Sequence, residues 1–116
     1  MKLAEVAYFT ENLQEMINFY RKLLSAEPVA QSEGMAIFLV DGTKIFIHKT
    51  YEMEPGLLPP ENHKAFQVED VDRACATLAS QGVIVEVEPK GYYWGRSAYL
   101  RDPDGHLIEL AQAGKT

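Results

Sequence analysis

The chain has 116 residues, enough for one domain with a modest core and too few for a multidomain machine or a large α/β barrel. Apolar residues make up 47% and charged residues 24%, a globular balance that excludes a disordered or fibrous chain. A formal charge of −6 with no basic cluster excludes a phosphate-backbone binder, so no nucleic-acid partner is expected. The longest apolar runs, such as 35–40, are strand-length, and the N-terminus has no charged segment followed by an apolar stretch and a cleavage site. No membrane partner is therefore expected, and a cytoplasmic location is. The single cysteine, Cys75, excludes an intramolecular disulfide and a multi-thiolate zinc site.

In chain order, residues 2–9 read as a strand, and Asn12 followed by Glu15 stands in capping-box register. Leu13, Met16, Ile17, Tyr20, Leu23 and Leu24 recur at helical spacing, which predicts a helix with one apolar stripe. Residues 28–31, 35–40 and 44–49 read as three strands, with Gly34 in the first turn and Asp41-Gly42 in the second. Pro55-Gly56 and Pro59-Pro60 then mark a connector over 51–62, with Leu57 and Leu58 as contacts if it caps a cleft. The pattern restarts. Residues 63–68 read as a strand, Asp70 as a helix cap, and Val71, Ala74, Cys75 and Leu78 as an apolar stripe ending near Gly82. Strands at 83–88 and 97–101, a turn at 102–105 and a last strand at 106–112 complete the series. The expectation is one domain over 1–116, with module one at 1–50, the connector at 51–62 and module two at 63–116, each module βαβββ.

The repetition can be counted. Glu5 lies seven residues before Asn12, and His63 lies seven before Asp70, so an offset of 58 superimposes the two strand-to-helix junctions. Phe46 lies four residues after Gly42, and Glu109 four after Gly105. Glu5 is thus equivalent to His63, and Phe46 to Glu109. Side chains alternate across a strand, so the apolar row Ala4, Val6, Tyr8 is the natural partner of the first helix, and Glu5 faces away from it. The same reading places Phe66 and Val68 under the second helix, with His63, Ala65 and Gln67 opposite. In the last strand Ile108 and Leu110 pack inward, and Glu109 shares the other side with Leu107 and Ala111. If the helix-free faces curl around a common space, Glu5, His63 and Glu109 converge, and two carboxylates there need a positive guest or a proton. Imidazole with carboxylate oxygens suits Fe(II), Mn(II), Ni(II) or Zn(II).

The paired modules, Phe19-Tyr20 with Leu23-Leu24, the run from His63 to Val71, and the terminal run from Asp102-Pro103-Asp104-Gly105-His106 to Leu110 carry a family likeness over nearly the whole chain. The sequence resembles the glyoxalase, bleomycin-resistance and extradiol-dioxygenase superfamily, the vicinal oxygen chelate proteins. The resemblance implies an α+β fold in which two βαβββ modules form a cup-shaped half-barrel of mixed sheet with helices on the outer face, and a homodimer. It implies metal positions on the first and last strands of each module, here Glu5, Phe46, His63 and Glu109. Phe46 cannot bind a metal, which argues against the four-ligand arrangement of glyoxalase I and leaves a three-ligand set closer to the dioxygenase or fosfomycin-resistance layout. Glu5 stands where those relatives usually carry histidine.

Each residue has a plainer alternative. Glu109, between Ile108 and Leu110, is costly to bury unless it coordinates a cation or pairs with Arg96 or Arg101. His63 follows a connector and has a solvent-exposed alternative, and Glu5 a solvated one beside Lys2. His48 shares a strand face with Phe46 and reads as a substitute ligand or acid/base or, with Phe46, as a contact to substrate or to solvent at the rim, whereas His106 belongs to a turn and Cys75 to the helix stripe. Gly91-Tyr92-Tyr93-Trp94-Gly95 suits a mobile wall over an apolar or aromatic ligand, with Tyr93 and Trp94 as contacts, or a loop tucked onto the sheet. Arg96 suits an anionic substrate group or a surface ion pair. Two functions are compatible with these residues. One is a metal-dependent lyase or isomerase of glyoxalase type, with Glu5 or Glu109 moving a proton and an enediolate or oxyanion stabilised by the cation; ring-opening with oxygen is a narrower variant. The other is a metal-free protein that sequesters a flat drug by stacking and cation–π contacts.

Overall fold

The two halves of the chain repeat one local programme, and the backbone follows it. The computed structural model describes residues 1–55 and 58–114. The first series is β1 (Lys2–Thr10), α1 (Leu13–Leu24), β2 (Ala30–Gln31), β3 (Met35–Val40) and β4 (Thr43–Lys49). The second is β5 (His63–Val68), α2 (Val71–Ser80), β6 (Val85–Tyr92), β7 (Gly95–Arg101) and β8 (Leu107–Gln112). The α+β class and the twofold βαβββ order match the expectation. By packing the chain divides into a unit spanning Glu5–Asn62 and a unit made of Met1–Ala4 with the chain from His63 onward, so β1 begins in one and ends in the other.

In the Glu5–Asn62 unit the strand order is β2-β3-β4-β1, parallel between β1 and β4 and antiparallel elsewhere. Ile17 of α1 is buried with Ala36, Phe38 and Ile47, and Leu13, Met16, Tyr20 and Leu24 border them. Tyr8 stacks on Tyr20 with ring centroids 6.2 Å apart, which fixes the Tyr8 side of β1 as the helix side, as the alternation predicts. Asp41 and Gly42 both take positive φ, 48° and 82°, the geometry a tight Asp-Gly hairpin requires. One expectation fails: Asn12 precedes the helix, but its side chain makes no capping hydrogen bond. Its ψ of 56° departs from the extended cap conformation, and its N–H is instead tied to Thr10 Oγ1 at 2.9 Å.

In the other unit the order β5-β8-β7-β6 repeats that arrangement, again parallel between its first and last strands. Val71 and Cys75 of α2 are buried with Ala98 and Leu110, bordered by Phe66, Val68, Leu78 and Leu100. Cys75 is therefore a core thiol, and burial pushes its pKa up. Asp70 does cap its helix, its Oδ1 accepting from Arg73 N–H at 3.1 Å. The expected strand at 83–88 starts later and runs further, because Val83 N–H is used to close α2 on Leu78 O at 3.0 Å. The ladder then carries through two register shifts, between Val85 and Val87 and between Val87 and Lys90, the second spanning Pro89, which has no N–H to give, and ends with Tyr92 opposite Gly95. Residues 91–95 are thus the tip of a tight hairpin.

The counted equivalences reappear in the registers. Glu5 lies opposite Lys44 and Ala7 opposite Phe46, while His63 lies opposite Leu107 and Ala65 opposite Glu109. Beyond the ladders, Thr50 N–H bonds Thr10 O at 2.9 Å and Ala113 N–H bonds Val68 O at 2.7 Å, the same closing contact twice. Among the described residues no helix is long and apolar enough to cross a membrane.

Candidate functional site

The site is built on the helix-free side of the β5-β8-β7-β6 unit. Leu110 enters the core under α2, so alternation turns its neighbour Glu109 to the opposite side. His63 Nε2 stands 3.1 Å from Glu109 Oε1, with the two side chains only 10% and 8% exposed. Ser97 is fully buried and its Oγ donates to Glu109 Oε2 at 2.8 Å. Trp94 Nε1 lies 3.2 Å from Ser97 Oγ, and because an indole nitrogen only donates, the order of the relay is fixed: Trp94 to Ser97 to Glu109. One carboxylate oxygen is therefore committed inside the protein, and Oε1 remains beside the imidazole.

Aromatic rings close around this pair. Tyr99, opposite Glu109 in the β7–β8 ladder, presents its ring to His63 edge-on at 6.0 Å. Tyr92 stacks flat on Trp94 at 4.4 Å and meets Tyr99 edge-on at 6.2 Å. Burial, and then the negative charge of Glu109, push the Tyr92 hydroxyl pKa up. The salt-bridge alternatives for Glu109 are not taken. Arg96 makes a two-pronged contact to Asp72 at 2.7 and 2.8 Å, holding that carboxyl below the ordinary range, and Arg101 Nε pairs with Glu86 at 3.1 Å.

The residues singled out in the sequence thus fall in different places. His63 and Glu109 come together, and Trp94 joins them through Ser97. Arg96 does not: it alternates with Ser97 along β7, and its partner Asp72 is on α2. Tyr93 touches Trp94 edge-on at 4.8 Å and is 96% exposed at the hairpin tip. Phe46 and His48 pack in the Glu5–Asn62 unit with Phe9 and Tyr51, the His48 ring lying 5.6 to 6.0 Å from these three. His48 Nδ1 sits 2.6 Å from Lys49 O, so that nitrogen donates to the carbonyl. Glu5 opens this unit's part of β1 at the position equivalent to His63, and next on its side of the strand comes the buried Ala7. Leu58 O accepts from Tyr51 Oη at 2.7 Å, whereas Leu57 lies outside the described residues. His106, as expected, belongs to a turn, with Nδ1 2.9 Å from Asp102 Oδ2.

Sequence reasoning missed Ser97 and Tyr99 as members of the site, and it named Tyr92 only within the aromatic run over a ligand. A signal for the first two was present: the turn at 102–105 sets Ser97 opposite Ala111 and Tyr99 opposite Glu109, on the face already assigned to Glu109.

An imidazole nitrogen and a carboxylate oxygen, buried side by side with the carboxylate oriented by a serine donor, match the donor chemistry and supporting shell of a divalent first-row metal. A duplicated βαβββ fold with such a pair on its helix-free side defines a class, and the comparison with known families agrees. Residues 2–110 match the Glyoxalase/Bleomycin resistance protein/Dioxygenase superfamily, and the chain belongs to it. It is 31% identical over 120 residues to the fosfomycin resistance protein FosX of Listeria monocytogenes, covering 93% of this chain and 86% of that protein. It is 25% identical over 114 residues to the metallothiol transferase FosB of Shouchella clausii, covering 90% and 75%. Among solved structures, a hypothetical protein from Bacillus halodurans superimposes with a TM-score of 0.79 at 18% identity, covering 99% of this chain and 96% of the other, a likeness of fold.

Proposed function

We propose that this chain is a metal-dependent enzyme acting on a small substrate with neighbouring oxygens, a lyase or isomerase of glyoxalase type. The observation that carries this reading is the buried His63–Glu109 pair, with Ser97 holding Oε2 so that Oε1 faces the imidazole. Glu5, at the register position equivalent to His63, completes the proposed ligand set with a second carboxylate. A divalent Mn, Ni, Fe or Zn ion, when bound there, supplies Lewis-acid stabilisation to charge developing on the substrate oxygens. His63 would hold the ion through Nε2, the imidazole nitrogen that faces Glu109. Glu5 or Glu109 carries a proton between adjacent carbons, and for Glu109 the working atom is Oε1, since Oε2 is held by Ser97. Trp94, tied to this relay, is the best supported of the expected substrate contacts; Tyr93, Phe46 and His48 are secondary, and Arg96 is engaged on the helix side. The likeness to FosX, a fosfomycin resistance protein, and to FosB, a metallothiol transferase, supports a metal-dependent reaction on a small molecule. A homodimeric, cytoplasmic protein completes the proposal.

The test is metal analysis of protein purified without chelator, with thermal melts in added Mn(II), Ni(II), Fe(II) or Zn(II). Wild-type protein is expected to hold one ion per chain and to gain about 2.7 kcal/mol when free metal is a hundredfold above Kd. His63→Ala and Glu109→Ala are expected to lose both effects. Wild-type protein that holds no ion and melts at the same temperature in every metal would instead point to a metal-free small-molecule sequestering protein of bleomycin-resistance type.

A further inference from the structure

Tyr92 Oη is the one buried side-chain nitrogen or oxygen without a hydrogen-bond partner among the described residues. The register places it deliberately. Lys90 lies opposite Ser97 in the β6–β7 ladder, so Lys90 and Tyr92, two residues apart on one strand, share the face that carries Ser97, Tyr99 and Glu109. The ring is held on three sides: flat against Trp94 at 4.4 Å, edge-on to Tyr99 at 6.2 Å, and beneath Lys90 Nζ at 5.0 Å from its centroid. A hydroxyl buried without a partner is unfavourable, and such clamping does not let it swing out to water. Burial and the charge of Glu109 both favour the protonated phenol, so the group is a donor at neutral pH.

We propose that Tyr92 Oη donates a hydrogen bond to an oxygen of the small molecule held beside His63 and Glu109, which makes Tyr92 a specificity-determining residue for an oxygen-bearing ligand. This rests on the metal-centre reading above. The orphan hydroxyl is then satisfied only in the bound state, and a ligand lacking an acceptor at that position leaves it unpaired.

Oxalate, which has two neighbouring oxygens, serves as the probe. Wild-type protein and Tyr92→Phe are compared by thermal melts without metal and by calorimetric titration of the Mn(II)-loaded proteins with oxalate. Tyr92→Phe is expected to melt at the wild-type temperature or above it, because it removes a group with no internal partner. It is expected to bind Mn(II) like wild type, and oxalate roughly 10- to 100-fold more weakly. Oxalate bound equally by both Mn(II)-loaded proteins, or by neither, overturns the role of Tyr92 and leaves the metal centre standing. A metal-free Tyr92→Phe that melts below wild type also overturns it, since the hydroxyl then has a partner inside the protein. Wild-type protein that takes up no Mn(II) overturns the metal reading and this inference with it.

Discussion

Ser97 decides what Glu109 can do. A serine oxygen both accepts and donates, and here it accepts from the Trp94 indole and passes its own proton to the carboxylate. Replacing it with alanine takes the donor from the buried Glu109 Oε2, at about 1–3 kcal/mol, and the acceptor from the indole of the half-exposed Trp94. Ser97→Ala is therefore expected to lower the unfolding free energy of the metal-free protein, read by urea denaturation, and to weaken metal binding about 10- to 100-fold through loss of Glu109 orientation. Unchanged values in both measurements would mean that the relay is idle. Glu109 announced itself in the sequence because a carboxylate between two apolar strand residues demands a partner. Ser97 and Tyr99 did not, because a small polar residue or a tyrosine on a strand carries no signal until its neighbour across the ladder is known. Arg96 was ambiguous for a related reason: one residue of alternation separates the site face from the helix face, and only the paired strand tells which is which.

At the scale of elements, the two helices enter in the same way on paper and differently in the molecule. Asp70 is extended, with φ −138° and ψ 102°, and its carboxylate reaches Arg73 N–H. Asn12 turns at ψ 56°, and its amide caps nothing. The side-chain types and spacing read alike because both residues can cap; backbone ψ, set by how each strand leaves its sheet, chooses. Asp70→Ala is accordingly expected to cost about 1 kcal/mol and Asn12→Ala only a few tenths, compared in parallel urea unfolding series. Equal costs would show that the Asp70 bond contributes nothing. The Asp41-Gly42 hairpin was legible because its residue types demand positive φ, as the backbone confirms. The Tyr92–Gly95 hairpin was not, since Gly91 and Gly95 read as loop punctuation while the strand pairing extends through to the tip.

Across the whole molecule the duplication was legible from counting alone, because registers and closing hydrogen bonds recur at the offsets that the helix junctions and turns define. Less legible was the divergence of the two copies: equivalent last-strand positions hold Phe46, among aromatic rings, and Glu109, in a polar relay. Nor does one chain's sequence reveal its assembly, and here surface physics frames the test. Phe19 and Leu23, the latter expected on the buried stripe, lie one turn apart on α1, 56% and 62% exposed, on the side away from buried Ile17, an apolar pair that the proposed homodimer would cover. Each copy carries a net charge of −6, so two copies repel at low ionic strength. A homodimer held by apolar contact is therefore expected to tighten as sodium chloride rises, with sedimentation equilibrium reporting twice the 13.1 kDa chain mass. Phe19→Glu with Leu23→Glu, which removes the contact and adds charge, is expected to shift the mass to that of the single chain while leaving the far-ultraviolet dichroism unchanged. A dimer that loosens with salt would instead be joined by ion pairs, and a single-chain mass at every salt concentration in the micromolar range would remove the dimer altogether.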